Sequence, residues 1–236
     1  VRCVEETDVR GGGERARYYV TASYLRDNGN LYNNPDTDYN TNINITRYNF
    51  RSNIDMSLTK TTTLSLEIGA NMTDAHQPRP ITSSNNFQSQ ASELFSACYQ
   101  QDPITTPVRV PLGYNEFGEM QWGWGAPLST SVGNPAERLF GSGYNKTYRT
   151  SVMSQIILKQ NLDFLTKGLD FTASFSYDVN TVSIQSRGKY SSLYAVNGVD
   201  DETGLYSLVP KREGDEFLGY SYSCLLYTSP SPRDTR

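Results

Sequence analysis

Residues 48–60, "YNFRSNIDMSLTK", alternate in type: Tyr48, Phe50, Ile54, Met56 and Leu58 take one set of positions, and Asn49, Arg51, Asn53, Asp55, Ser57 and Thr59 the other. Side chains of an extended chain point to opposite faces in turn, so the pattern predicts a strand with one apolar and one polar face. After a polar turn at 60–62 the alternation resumes, with Leu64, Leu66, Ile68, Ala70 and Met72 set against Thr63, Ser65, Glu67, Gly69 and Asn71. Two such runs joined by a short turn predict an antiparallel hairpin. Upstream, Tyr18, Val20, Ala22 and Tyr24 form a third strand. A fourth carries Val152, Ile156, Leu158 and Leu162, turns at 165–168, and returns as a fifth with Leu169, Phe171, Ala173, Phe175 and Tyr177. Ser52 and Ser154 interrupt the apolar set.

The apolar side of such strands packs on a second sheet in a soluble sandwich, or faces lipid in a membrane barrel whose polar side lines water. Periodicity alone leaves both open. A soluble strand averages about five or six residues, whereas a tilted bilayer-spanning strand needs about nine to eleven, and the runs here reach the longer length. Short turns at 60–62 and 165–168 alternate with long connections at 26–46, 73–146 and 180–216. Outer-membrane barrels sort their connections in this way, with short turns at one end and long loops at the other.

Composition changes the picture mainly by exclusion. The chain has 236 residues and a net charge of −4. It shows no basic stripe of the kind that binds nucleic acid. Mean hydropathy is negative and no apolar run reaches the length of a helical span, although barrel strands, half polar by construction, escape that test. Several of the 17 tyrosines fall near strand ends, among them Tyr18, Tyr24, Tyr48, Tyr148 and Tyr177, where a membrane interface favours amphipathic rings and where β-rich proteins in general also use them. Cys3, Cys98 and Cys224 show neither a pairing pattern nor metal spacing, and His76, the single histidine, is expected to be solvated in a proline-rich loop. Catalytic, cofactor-binding and metal-binding residues are therefore expected to be absent. The chain begins without methionine or an export signal, so its beginning is expected to be missing.

Three segments together resemble one family. "GGGERARYYVTASYLRDNGNLYN" (11–33) is similar to the glycine-turn, strand and loop segment of SusC/RagA-type TonB-dependent outer-membrane transporters. "YNFRSNIDMSLTKTTTLSLEIGANM" (48–72) resembles the hairpin that follows it there, and "NPAERLFGSGYNKTYRTSVMSQIILKQNLDFLTKGLDFTASFSYD" (134–178) the next one. The resemblance implies a barrel of about 22 strands with an N-terminal plug, a SusD-like surface lipoprotein as lid, energy from the TonB complex through the plug segment, and an oligosaccharide or peptide as cargo. On that basis residues 11–223 are expected to be part of the barrel, an open curved antiparallel sheet of five or six strands in outer-membrane lipid, prone to aggregate when alone. Residues 1–10 form a stub of uncertain role. The string "CLLYTSPSPRDTR" (224–236) resembles an in-frame translation of a transposase adapter from sequencing libraries and is expected to be a non-native tail.

Loop chemistry is sparse. "ASELFSACYQQ" (91–101) predicts a short helix with Leu94, Phe95 and Cys98 on a packed face. Trp122 and Trp124, set among glycines, suit an anchor of the loop to the barrel rim before they suit a glycan-stacking platform or a contact with the lid. The acidic runs at 200–202 and 213–216 lack the ordered spacing of a calcium loop. Arg51, Asp55, Glu67, Arg149 and Lys159 are expected on the lumen side, paired with the plug. Two other readings stand beside the importer. A soluble all-β carbohydrate-binding module would pack its apolar faces on a second sheet, and a secreted hydrolase would need a carboxylate pair such as Asp55 and Glu67 in a cleft.

Overall fold

The computed structural model describes residues 2–35, 37–79, 87–102, 106–128, 134–200, 202, 204–215 and 217–230. Asp201, Glu216 and residues 231–236, on which parts of the acidic runs and of the tail fall, lie outside them. Two sheets are formed. The larger has seven strands: β1 (Arg2–Gly12), β2 (Ala16–Asn28), β3 (Asn44–Ser57), β4 (Thr62–Pro78), β7 (Gly143–Asn161), β8 (Asp170–Gly188) and β11 (Gly219–Pro230). Every pairing in it is antiparallel, and the sheet curls like half of a barrel. The smaller sheet orders β10 (Tyr206–Arg212), β9 (Leu193–Val199), β6 (Met120–Ala126) and β5 (Arg109–Tyr114), with β6 and β9 parallel. Two helices, α1 (Phe87–Gln100) and α2 (Pro135–Phe140), lie in the same long connection as β5 and β6.

The strand count exceeds the expected five or six. Residues 2–12 pair along their whole length with β2, and β11 runs from 219 through Cys224 to Pro230 against β8, so backbone pairing extends into the adapter-like string. Alternation is weak over residues 2–12, which is why periodicity did not mark that strand, whereas "FLGYSYS" (217–223) begins a strand pattern that β11 carries on beyond it.

Register explains the alternation. Directly paired residues share a face. Ala22, Phe50, Ala70, Val152 and Val179 form one row across five strands; Tyr18, Ile54, Leu66, Ile156 and Phe175 form another, and Ala16, Met56, Leu64, Leu158 and Ala173 a third. Between them, on the opposite face, run Thr21, Arg51, Gly69, Met153 and Asp178, then Tyr19, Asn53, Glu67, Gln155 and Ser176. A one-residue slip anywhere would mix the two faces. The serines on the apolar face are accommodated: Ser52 is buried, and the Ser154 hydroxyl donates to the Tyr177 carbonyl at 2.9 Å.

Among the described residues nothing large covers the apolar rows. Phe50, Phe171 and Phe175 remain 42%, 51% and 60% exposed, and among the described residues helices and strands outside this sheet touch it only slightly, α2 at β7 the most. The smaller sheet buries a core of its own, Trp124, Ala126 and Leu193, against Ala136 and Phe140.

Connections are sorted by end. Short turns at 13–15, 58–61 and 162–169 lie at one end of the large sheet, and the connections at 29–43, 79–142 and 189–218 at the other. The long ones are shorter than expected because β2, β3, β4, β7 and β8 run on past the clean alternation. His76, expected in a loop, stands in β4 instead, half-buried, its ring stacked on Tyr144 at 5.0 Å. The helix expected at 91–101 begins earlier and exposes a different side: Ala97 is buried, while Phe95, Cys98 and Tyr99 face outward.

Candidate functional site

The long connections build a cap at one end of the large sheet, and Asn134 ties it together. Asn-Pro is a helix start, since Pro135 fixes the first helical φ and lacks an N–H that would go unpaired. The Asn134 Oδ1 accepts from the Ala136 N–H at 2.9 Å, capping α2, while its Nδ2 donates to the carbonyls of Val108 and Gly125 at 2.9 and 3.0 Å. One buried side chain thus joins α2 to the backbone around β5 and β6. At the far end of α2, the Tyr39 hydroxyl donates to the Phe140 carbonyl at 2.7 Å and accepts from the Gly143 N–H at 3.0 Å, bringing the 29–43 connection onto the start of β7. Burial raises the Tyr39 pKa, so the hydroxyl stays protonated and able to donate.

An ion pair between buried Glu137 and half-buried Arg212 joins α2 to β10. Glu137 Oε1 accepts from Arg212 Nη2 at 2.7 Å, and the same guanidinium donates to the Ser191 carbonyl from Nε at 3.0 Å and from Nη2 at 2.8 Å. Burial raises the Glu137 pKa, and the opposing pull of Arg212 does not cancel it. Arg79 and Arg212 both lie over the Tyr190 ring, at 4.8 and 5.6 Å. Periodicity could not reveal the Glu137–Arg212 pair, whose members are 75 residues apart in sequence.

The structure separates the two tryptophans. Trp124 is 8% exposed, part of the cap core, with the Arg109 guanidinium 3.5 Å from its ring centre. Trp122 is 56% exposed on the same strand. It belongs to a hairpin whose tip is held by Asn115, the Oδ1 accepting from the N–H groups of Phe117 and Glu119 at 3.0 and 2.8 Å, with Gly118 in the left-handed region at φ 76°. Tyr114 and Phe117 on this hairpin are exposed as well. Exposed rings on a rigid hairpin can stack on a flat apolar or sugar surface.

Arg51, Asp55, Glu67, Arg149 and Lys159 share the polar face of the large sheet. A groove there is lined by Arg51, Asn53, Glu67, Gln155, Ser176 and Asp178 among others. Hydrogen bonds cross the strands on this face: Asn49 Nδ2 donates to Ser23 Oγ at 2.9 Å, Asn71 Nδ2 to Asn49 Oδ1 at 2.6 Å, and Ser65 Oγ to Asp55 Oδ1 at 2.5 Å. Asp55 and Glu67 fall in different rows of the register. Among the described residues no His, Cys, Asp and Glu side chains cluster as metal ligands would. The arrangement offers stacking, hydrogen bonding and charge. No protein-family model matches the chain, and no curated protein matches it either.

Proposed function

We propose that this chain is part of the wall and external cap of a TonB-dependent outer-membrane importer of the SusC/RagA type, moving oligosaccharides or peptides with a SusD-like lipoprotein as lid and the TonB complex as energy source. One observation carries the reading: a wide apolar face, several rows deep, on which large side chains stay exposed. Contiguous apolar surface of that extent marks a membrane or protein interface. From Tyr48 to Leu58 the strand rises about 33 Å, or about 25 Å normal to a membrane at a tilt of about 40°, the height of the apolar band of a barrel. The band ends at Tyr24 and Tyr48, ring centres 5.3 Å apart, where an interface favours tyrosine. Sorted connections agree with this orientation, long loops outward. In this reading the polar face lines the lumen and Trp122 contacts cargo or lid. Transport breaks no bond, so no catalytic group is required.

A soluble carbohydrate-binding module would also use Trp122, but it leaves the face bearing Phe50 and Phe175 without a partner. Folding titrations of the chain in detergent micelles test the proposal. Ile54→Arg is expected to cost about 2–4 kcal/mol as a mid-bilayer charge. A chain that is monodisperse and folded in buffer without detergent, with Ile54→Arg neutral, would sink the reading.

A further inference from the structure

Above the apolar band, towards the long connections, the same face of the large sheet changes character. The next row is Arg26, Thr46, Asp74, Tyr148 and Ser183; the one beyond holds His76, Lys146, Gln185 and Tyr222; then come Tyr144, Arg187 and Tyr220. Lys146 and Arg187 stand on adjacent strands as diagonal neighbours, about 7–8 Å apart. Like charges at that spacing repel, and neither Lys146 nor Arg187 forms an ion pair among the described residues, although Asp74 stands diagonal to Lys146 on the same face. Asp74 is the one acid in these rows, and Glu5 lies below it beside Tyr24 at the sheet edge. The Arg187 guanidinium is steadied over the Tyr220 ring at 4.5 Å, and Arg187, Tyr220 and Tyr222 are exposed.

We infer that Lys146 and Arg187 form a binding site for the phosphate of an anionic membrane lipid, framed by Tyr148, Tyr220 and Tyr222. The inference rests on the membrane reading above and goes beyond it. A headgroup phosphate fits because the cation pair stands on the same face as the apolar rows, beyond the one polar row that follows the Tyr24–Tyr48 end of the band, so acyl chains lying on the rows of Phe50 and Phe175 run towards it. The guanidinium supplies a fork of donors and the ammonium a point charge, and one phosphate can accept from both. A lipid source is specified over a free anion because the aromatic frame and the apolar rows below it have no use for free phosphate.

Flotation of the chain with vesicles tests this. Phosphatidylcholine vesicles are compared with the same vesicles containing phosphatidic acid, and the expected preference for the second falls about thirtyfold in the double variant Lys146→Gln, Arg187→Gln. Binding to pure phosphatidylcholine is expected to stay unchanged. A matched variant at the opposite end, Lys60→Gln with Lys167→Gln, keeps the preference, as does the charge-conserving Lys146→Arg, Arg187→Lys. In the unaltered chain, added salt reduces the preference but not the basal binding, a readout independent of whether the neutral variant folds. Retention of the preference by the neutral double variant, equal loss in the matched variant, or its abolition by inorganic phosphate at the same phosphate concentration overturns the inference alone. Failure to bind either vesicle overturns the membrane reading as well.

Discussion

Glu137 holds a carboxylate where burial disfavours charge, and Arg212 answers it only in part. Its folded-state pKa lies above the ordinary value near 4.5, so its contribution to cap stability is fully present below about pH 4.5 and is lost as pH rises through the raised value. Amide protection in α2, corrected for intrinsic exchange, is therefore expected to be greater at pH 4 than at pH 7, and Glu137→Gln to flatten the difference. A cap best protected near neutrality contradicts this. Arg212→Ala leaves the acid unpaired and is expected to lower cap protection by about 2–3 kcal/mol, less than a fully buried pair would lose because the Arg212 side chain is 35% exposed. Residue spacing alone could not foresee this pair, nor distinguish Trp122 from Trp124. Two positions apart on one strand they share a face; α2 and Leu193 cover one of them only.

Strands were legible where one face is uniformly apolar. In β3 and β4, and in the lower halves of β7 and β8, the rows of Ile54 and Leu66 impose a strict period of two. The upper halves, such as "GYNKTYRT" and "NTVSIQSRG", do not continue the apolar rows, and Val182 and Ile184 fall on the other face, opposite Arg149 and Thr147, so the period of the lower halves stops there. The strands β5, β6, β9 and β10 are short and contain glycine or proline, and β6 pairs with the distant β9, so local pattern holds little of them. Where β7 begins, Gly143 sits at φ 95°, and a Cβ there would come within 2.1 Å of the Arg187 carbonyl oxygen. Both backbone strain and that contact oppose a side chain. Gly143→Ala is expected to cost about 2–3 kcal/mol in denaturant titration; a change below about 0.5 kcal/mol would show that the Gly143–Gly188 pairing is dispensable.

At the scale of the molecule, the large sheet ends in two open strands, β1 and β11. Each presents unpaired backbone donors and acceptors along one side, a template for further pairing. The chain in micelles is expected to self-associate as concentration rises, with sedimentation velocity showing a growing dimer or larger species; a strictly monomeric chain at all concentrations would mean the edges are blocked. The sorting of connections was visible in the sequence because it depends only on lengths between alternating runs. The folding of the long connections into a cap was not, because the pairing of β6 with β9 joins residues from different connections.

That parallel pairing has a consequence for how the cap tolerates damage. Trp124 lies beside Leu193 and Ala126 beside Ala195, so two excursions of the backbone, one leaving β4 and the other leaving β8, are stitched to each other as well as to their own strands. A single proteolytic nick at 129–133 would free neither piece: β5 and β6 would stay held by β9, and α2 by Arg212 and the start of β7. The polypeptide can be severed there and the assembly persist, much as a hem keeps its shape when one thread of two is cut.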